Sequence, residues 1–216
     1  MMSFNILAFG DSLTWGSDHQ RGGRHAFQDR WPNVLATGLG PAATVVTEGL
    51  GGRTSCFDDH MSPSDRNGAR ILPTLLGSHY PLDLLIIMLG ANDLKPHICG
   101  RAAGAAAGID RLIEIARSFP YGWGAAAPKV LVVSPPIFAA SSAADGQPAG
   151  GRDIAESQLL APEYEAVARR RGCSFFDAAS VAKASIIDGV HLDAENTRKI
   201  GQALVPVVAA IIKASS

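Results

Sequence analysis

The sequence has few cysteines, few aromatic residues and almost no excess charge. Its three cysteines, Cys56, Cys99 and Cys173, are far apart and odd in number, which predicts reduced thiols and neither a disulfide framework nor a zinc motif. The net charge of −1 gives no indication of binding to nucleic acid or to an anionic membrane. No apolar run approaches the ~20 residues of a membrane-spanning helix. These absences argue against three classes: secreted disulfide scaffolds, nucleic-acid-binding proteins and membrane proteins.

Targeting and cofactor signals are also missing. The N-terminal Met-Met-Ser-Phe-Asn lacks the basic segment and long apolar core of a secretory signal, so we expect a cytoplasmic protein. No Gly-x-Gly-x-x-Gly follows a predicted strand and no Walker-type Lys-Ser/Thr pair occurs, so nucleotide binding has no support. Asp58-Asp59-His60 contains metal-ligand residue types, but adjacent residues point in different directions and a solvated loop explains them better. We expect no metal and no cofactor.

The composition indicates one globular domain over residues 1–216, with 47% hydrophobic and 18% charged residues. Apolar runs alternate with helical patterns, which predicts repeated βα units in a three-layer α/β/α, flavodoxin-like fold with a central five-stranded parallel sheet. The predicted strands are 4–9, 44–47, 82–89, 130–134 and 173–176. The predicted helices are 29–39, 67–79, 102–119, 155–171 and a last helix capped by Asp193, in which Pro206 should cause a kink or a local break.

Two long segments have no periodic pattern. Residues 17–30 contain two histidines, three arginines and paired glycines, and residues 135–153 are rich in Ala, Ser, Gly and Pro. Loops of this length inside a domain are commonly functional or mobile. We expect them to form walls of a substrate pocket or contacts between subunits.

Three residues suggest nucleophilic catalysis. Ser12 follows the first predicted strand, and the carboxyl ends of strands are where open α/β sheets bind ligands. Asp188 and His191 are three residues apart, so on a tight turn the carboxylate can hold the ring's Nδ1–H and leave Nε2 free for the serine proton. Each also has an ordinary interpretation, because Asp11-Ser12 is a common helix cap and Asp188-Gly189 a common turn.

Two further positions suggest an oxyanion hole beside the N–H of Ser12. The backbone N–H of Gly52 and the side-chain amide of Asn92 follow the second and third predicted strands. Gly51 is an alternative to Gly52, and simple turns would explain both positions. The expected substrate contacts are Asp11, Trp15 and Ala91. Trp15 follows the serine turn, where it either lines an acyl pocket or only packs.

The four blocks in this order resemble the SGNH (GDSL) hydrolase family. Gly10-Asp11-Ser12-Leu13 is similar to the first block of the family, Gly52 to the second, Gly90-x-Asn92-Asp93 to the third and Asp188-x-x-His191 to the fifth. The resemblance implies that Ser12, Asp188 and His191 are the catalytic triad. It also implies that Ser12, Gly52 and Asn92 form the oxyanion hole.

Longer stretches resemble the mycobacterial arylesterase/acyltransferase branch, among them Asp11-Ser12-Leu13-Thr14-Trp15-Gly16 and Val130-Leu131-Val132-Val133-Ser134-Pro135-Pro136. That branch hydrolyses short acyl esters, transfers acyl groups to alcohols or hydrogen peroxide, and assembles as octamers. The resemblance therefore implies a serine esterase acting on a small-molecule ester and forming a homo-oligomer. The chain departs from the family at Glu48, near the position of a usual asparagine, and in the composition of residues 135–153.

Three alternatives stay open from the sequence, one of which is that assembly is the main role and any esterase activity is incidental. The same machinery would suit a deacetylase acting on a carbohydrate or another natural product. A protein of a different class, a flavodoxin-like binding module, would use the same edge of the sheet to hold a ligand without chemistry.

Overall fold

Five strands form one parallel sheet in a computed structural model that describes residues 3–122 and 124–215. The strands are β1 (Phe4–Gly10), β2 (Ala43–Gly49), β3 (Leu84–Met88), β4 (Lys129–Ser134) and β5 (Ser174–Asp177). The helices are α1 (Ser12–Trp15), α2 (Trp31–Leu39), α3 (Gly68–His79), α4 (Ala102–Ser118), α5 (Ile154–Arg171) and α6 (Ala194–Lys213). Helices cover both faces of the sheet, so the predicted three-layer α/β/α fold is confirmed.

The order of the strands is β2-β1-β3-β4-β5, the flavodoxin-like order. All strands are parallel, but β2 is added on one side of β1 and β3 on the other. In open α/β sheets, ligands bind in the crevice outside the carboxyl ends of the strands at such a switch point. Ser12 lies two residues beyond the end of β1, at this crevice. The topology therefore places the candidate serine at the edge of the sheet where a site is expected.

The structure has two hydrophobic cores, one on each face of the sheet, and alternate residues of a strand point into one or the other. In β1, Leu7 and Phe9 face the core under α3, α4 and α5, whereas Ile6 and Ala8 face the core under α2 and α6. The strand β3 is buried at all five positions, as expected for a central parallel strand covered on both sides. The continuous apolar runs of the sequence thus reflect burial on two faces.

The predicted boundaries differ from the structure by one to two residues. The strand predicted over 82–89 is shorter in the structure, because Leu82 and Leu89 are buried but lie outside the ladder of β3. The last helix begins after Asp193, whose side chain accepts the N–H of Asn196 as predicted for a cap. The apolar pattern of the sequence predicts which residues are buried. The hydrogen-bonded length of a strand also depends on the strands next to it.

The predicted effect of Pro206 is only partly realised. The helix α6 runs from Ala194 to Lys213 without interruption, so there is no local break. Pro206 and Gln202, the residue whose carbonyl loses its partner, both face solvent, where water replaces the missing N–H. Leu204 and Val208 on the opposite side are fully buried and hold the helix against the sheet.

Among the helices within residues 3–122 and 124–215, none combines the length and apolar character needed to cross a lipid bilayer.

Candidate active site

The candidate nucleophile lies in the first turn of a very short helix. Asp11 caps α1 by accepting the N–H of Leu13 at 2.9 Å, and Gly16 ends the helix in the left-handed conformation. Ser12 is the first residue of this helix, so its N–H has no partner within the helix. The cap and the nucleophile proposed as rival interpretations of Asp11-Ser12 are therefore compatible.

The segment containing Asp188 and His191 is a tight turn. One carboxylate oxygen of Asp188 accepts the backbone N–H of Val190 at 3.0 Å and of His191 at 2.9 Å. The turn also requires Gly189, which has a φ of +73° and on which a Cβ would lie 2.2 Å from the carbonyl oxygen of Ala139. The turn directs the Asp188 carboxylate towards the His191 ring.

Three side chains form a continuous relay. Ser12 Oγ lies 2.9 Å from His191 Nε2, and His191 Nδ1 lies 2.5 Å from the second oxygen of Asp188. Because a carboxylate only accepts, Nδ1 carries the proton, and Nε2 is the acceptor for the serine hydroxyl. This is the geometry of a nucleophile, a base and an orienting carboxylate.

The Asp188 carboxylate stays ionised beside the histidine. Partial burial by itself would raise its pKa, but the hydrogen bonds from the His191 ring and from the two backbone N–H groups lower the pKa well below its ordinary value. A full negative charge therefore faces the imidazole at neutral pH.

Gly52 and Asn92 lie on loops that meet at the same edge of the sheet. Gly52 occupies a turn closed by a 3.0 Å hydrogen bond from the N–H of Arg53 to the carbonyl of Leu50, and its φ of +84° is one that glycine adopts without strain. Within residues 3–122 and 124–215, the Gly52 N–H has no acceptor. Asn92 Nδ2 donates to the carbonyl of Arg53 at 3.1 Å, which joins the two loops.

Arg152, which the sequence analysis missed, orients Asn92. Its guanidinium donates to the side-chain oxygen of Asn92 at 2.9 Å and to the carbonyl of Ala91 at 2.7 Å. Arg152 is 6% exposed and lies at the end of the long segment 135–153. No periodic pattern marks it, and only the fold brings it next to a residue 60 positions earlier.

Arg53 is a second buried cation that was not predicted to have a role. It donates to the carbonyl of Gly10 at 2.8 Å and to the carbonyl of Glu48, and its guanidinium lies 4.4 Å from the centre of the Phe9 ring. Burial lowers its pKa to about 10, and the charges of Glu48 and Asp11 oppose that shift. Arg53 thus ties the end of β1 to the end of β2.

The three expected substrate contacts have different surroundings. Asp11 is 1% exposed, one of its oxygens accepts the Leu13 N–H, and the other faces Asn92 Nδ2 at 3.3 Å. Ala91 is 2% exposed, and its carbonyl accepts from Arg152. Trp15 is half-buried beneath Arg24, whose guanidinium lies 4.9 Å from the ring centre. Of the three, Trp15 alone has a substantial accessible surface.

Two buried carboxyl groups lie beneath the site. Burial raises the pKa of Asp11 to about 6, and the Leu13 N–H and the nearby charges of His191, Arg152 and Arg53 oppose the rise. Burial also raises the pKa of Asp93 to about 6, although the Ser55 side chain and backbone N–H both donate to it. Of the two, Asp11 interacts with the charge of His191 and adds negative charge beside it above that pH.

Neither candidate metal cluster in the described residues has a suitable geometry. His19, Asp188 and His191 lie close together, but the two rings are stacked 3.7 Å apart at 10° and share no plane in which one ion could bind both. The Asp58 carboxylate is paired with Arg70 at 2.9 Å, and Asp59 with Lys95 at 3.2 Å. These two carboxylates are therefore already paired with the charged side chains of Arg70 and Lys95.

Comparison with known proteins identifies the family that this chain resembles. Residues 8–197 match the GDSL-like Lipase/Acylhydrolase family. A carbohydrate acetylesterase family member from Sinorhizobium meliloti is 48% identical, with a TM-score of 0.92 over 97% of this chain and 99% of that one. The aryl esterase of M. smegmatis is 40% identical, with a TM-score of 0.89 over 97% and 100%. No curated protein sequence matches the chain. The resemblance predicted from the sequence blocks is confirmed.

Proposed function

The chain belongs to the GDSL-like lipase/acylhydrolase family and is a carboxylic ester hydrolase, and from this premise we propose that Ser12, His191 and Asp188 are its catalytic triad. The observation that supports the assignment is the unbroken relay of 2.9 Å from Ser12 to His191 and 2.5 Å from His191 to Asp188. The relay joins the first residue of helix α1 to a turn 179 residues later, which is unexpected for residues that serve only as a cap and a turn.

In the proposed reaction, His191 Nε2 accepts the hydroxyl proton as Ser12 Oγ attacks the ester carbonyl. Asp188 holds Nδ1–H and stabilises the imidazolium that forms. Collapse of the tetrahedral intermediate breaks the ester bond, and the departing alcohol takes the proton from His191. Water then attacks the acyl-enzyme with His191 again as base, which releases the acid and restores the serine.

We assign the oxyanion to three donors: the N–H of Ser12, the N–H of Gly52 and the side-chain amide of Asn92. The first two N–H groups have no acceptor among the described residues. One N–H of the Asn92 amide is held at 3.1 Å by the Arg53 carbonyl, and the other faces Asp11 at 3.3 Å, which is long for such a bond. That weaker contact leaves the second amide N–H available to a developing negative charge.

The proposed substrates are esters of short acyl groups, including aryl esters, with acyl transfer to alcohols or hydrogen peroxide as a further reaction. Support comes from the similarity to the aryl esterase of M. smegmatis. Deacetylation of a carbohydrate is a second candidate, favoured by the 48% identity to a carbohydrate acetylesterase family member. Comparing turnover of p-nitrophenyl acetate with that of an acetylated sugar would rank the two classes.

The decisive experiment is release of p-nitrophenol from p-nitrophenyl acetate by wild type and Ser12→Ala. Loss of the nucleophile should reduce kcat by about 10³-fold or more. Ser78→Ala, an exposed serine on α3, is the matched control and should retain full activity. Equal and feeble rates in wild type and Ser12→Ala, with an unchanged circular dichroism spectrum, would favour a binding module without chemistry.

We also propose that the protein is a cytoplasmic homo-oligomer, with an octamer as the state expected from the family branch. The three cysteines are free, which suits a reducing compartment. Light scattering on the purified protein tests the assembly, and a single monomeric species would contradict it.

A further inference from the structure

A second histidine packs directly against the candidate base. The ring of His19 stacks on the ring of His191 with centroids 3.7 Å apart and planes inclined by 10°. His19 Nδ1 also lies 3.2 Å from the Asp188 oxygen that accepts the His191 Nδ1–H. One carboxylate oxygen therefore lies close to both stacked imidazoles, an arrangement that the proposed chemistry of Ser12, His191 and Asp188 does not itself require.

The backbone around His19 is held by a turn built on the preceding aspartate. Asp18 Oδ1 accepts the N–H of Gln20 at 2.9 Å and of Arg21 at 3.1 Å, and the Asp18 N–H donates to the carbonyl of Gly23 at 3.0 Å. His19 lies between the acceptor and the two donors of this turn. Its position is consequently fixed by the loop and does not depend on the stacking contact alone.

His25 joins this loop to the segment that carries His191. Its ring is buried, with Nε2 3.0 Å from the carbonyl oxygen of Leu192 and Nδ1 3.5 Å from an Asp18 oxygen. One buried side chain thus connects the residue before His19 to the residue after His191. His25 therefore fixes the backbone beside His19 relative to the backbone beside His191.

We propose that His19 is a positioning residue for the triad, an inference that rests on the proposed function. Its ring covers one face of the His191 imidazole and restricts rotation of that ring away from Ser12. Its Nδ1 lies 3.2 Å from the Asp188 oxygen but makes no hydrogen bond to it, so the stacking contact is what acts on the triad. His19 itself does not exchange a proton with the substrate.

The charge of His19 determines whether the stack helps or opposes catalysis. A neutral imidazole presents its π face to the His191 imidazolium that forms in the reaction, which is attractive, whereas a protonated ring would repel it. Burial and the neighbouring His191 charge lower the pKa of His19, and the charges of Asp188 and Asp18 oppose the shift. The lowered pKa of His19 favours its neutral form, the form in which the stack is attractive.

Three substitutions test the stacking contact of His19. His19→Phe keeps a ring for stacking, whereas His19→Asn and His19→Ala remove the ring. Gln20→Ala, on the exposed neighbour in the same loop, is the control. For p-nitrophenyl acetate, we expect His19→Ala to lower kcat by about 10-fold to 100-fold with little change in KM, because a displaced base misaligns the reaction and leaves ground-state binding intact.

The pH profile gives a readout that a merely structural residue would not change. If a protonated His19 opposes the His191 imidazolium, the acid limb of log kcat/KM should be steeper in the wild type than in His19→Phe and His19→Ala, which carry no second imidazole. His19→Phe should retain more activity than His19→Asn and His19→Ala, since it alone preserves the stack.

The outcomes distinguish this inference from the proposed function. If Ser12→Ala abolished turnover while all three His19 variants kept the wild-type kcat and acid limb, the positioning role would be overturned and the triad would stand. If Ser12→Ala retained turnover, the proposed triad would fail and this role would fail with it. Should His19→Ala lose its fold, as judged from its thermal unfolding, the Phe and Asn variants decide the question.

Discussion

Arg152 Nη2 lies 2.9 Å from the side-chain oxygen of Asn92. A guanidinium has only donors, so the Asn92 atom that faces it must be the oxygen, and the amide nitrogen must face the opposite side. That nitrogen is directed towards the Arg53 carbonyl and Asp11. The contact thus determines which face of Asn92 is available to an oxyanion.

The first prediction follows from this contact. Arg152→Met should lower kcat by about 10-fold to 100-fold with little effect on KM, because Asn92 loses the partner that fixes its amide. A double-mutant cycle with Asn92→Ala measures the coupling between the two residues. The loss caused by Arg152→Met should almost disappear in the Asn92→Ala background, whereas fully additive losses would mean that Arg152 acts elsewhere.

The second prediction concerns Asp188. Asp188→Asn should reduce kcat by roughly 10³-fold to 10⁴-fold while the fold is retained, because a neutral amide neither selects the Nδ1–H tautomer nor balances the imidazolium. Asp193→Asn, five residues away, is a matched control, since asparagine caps helix α6 as well as aspartate does. Similar activity in the two variants would contradict the role assigned to Asp188.

The third prediction is a pH dependence of stability. Because the pKa of buried Asp93 is raised to about 6 from an ordinary 3.8, the folded protein keeps a proton between these pH values that the unfolded chain has lost. This group therefore makes the free energy of unfolding fall as pH rises through that window, by up to about 1.4 kcal/mol per pH unit. Above about pH 6 its contribution is constant.

Urea unfolding of wild type and Asp93→Asn from acid to neutral pH tests this slope. The variant should lose that part of the pH dependence and gain stability relative to wild type as pH rises. Asp145→Asn, at an exposed position, is the control. Parallel stability curves for wild type and Asp93→Asn would show that the carboxyl group is ionised at the same pH in both states.

The fourth prediction compares two glycines of the candidate site. A Cβ on Gly10 would lie 1.9 Å from Thr14 Oγ1 and 2.8 Å from the Met88 carbonyl oxygen, whereas a Cβ on Gly51 would meet nothing within 4 Å. Gly10→Ala should reduce the free energy of unfolding by about 2–3 kcal/mol, and Gly51→Ala should leave it nearly unchanged. Thermal unfolding of both variants measures the difference, and equal melting temperatures would refute it.

Local sequence patterns were sufficient for the fold class and for most of the elements. Continuous apolar runs predicted strands buried on two faces, and the cap Asp193 was identified because capping depends on the residues next to a helix end. The short helix α1 and the limited effect of Pro206 were harder to predict. Both depend on contacts or exposure that neighbouring residues in the sequence do not reveal.

The sequence by itself determined the candidate chemistry. Ser12, Asp188, His191 and Asn92 are polar residues of the types that catalysis uses, and each lies beside a predicted strand end or turn. Only the tertiary structure decided how these groups are held. Arg152 and His19 lie in segments without periodicity, and their partners are 60 and 169–172 positions away. No local pattern encodes such a contact, because packing of the loops against the edge of the sheet creates it.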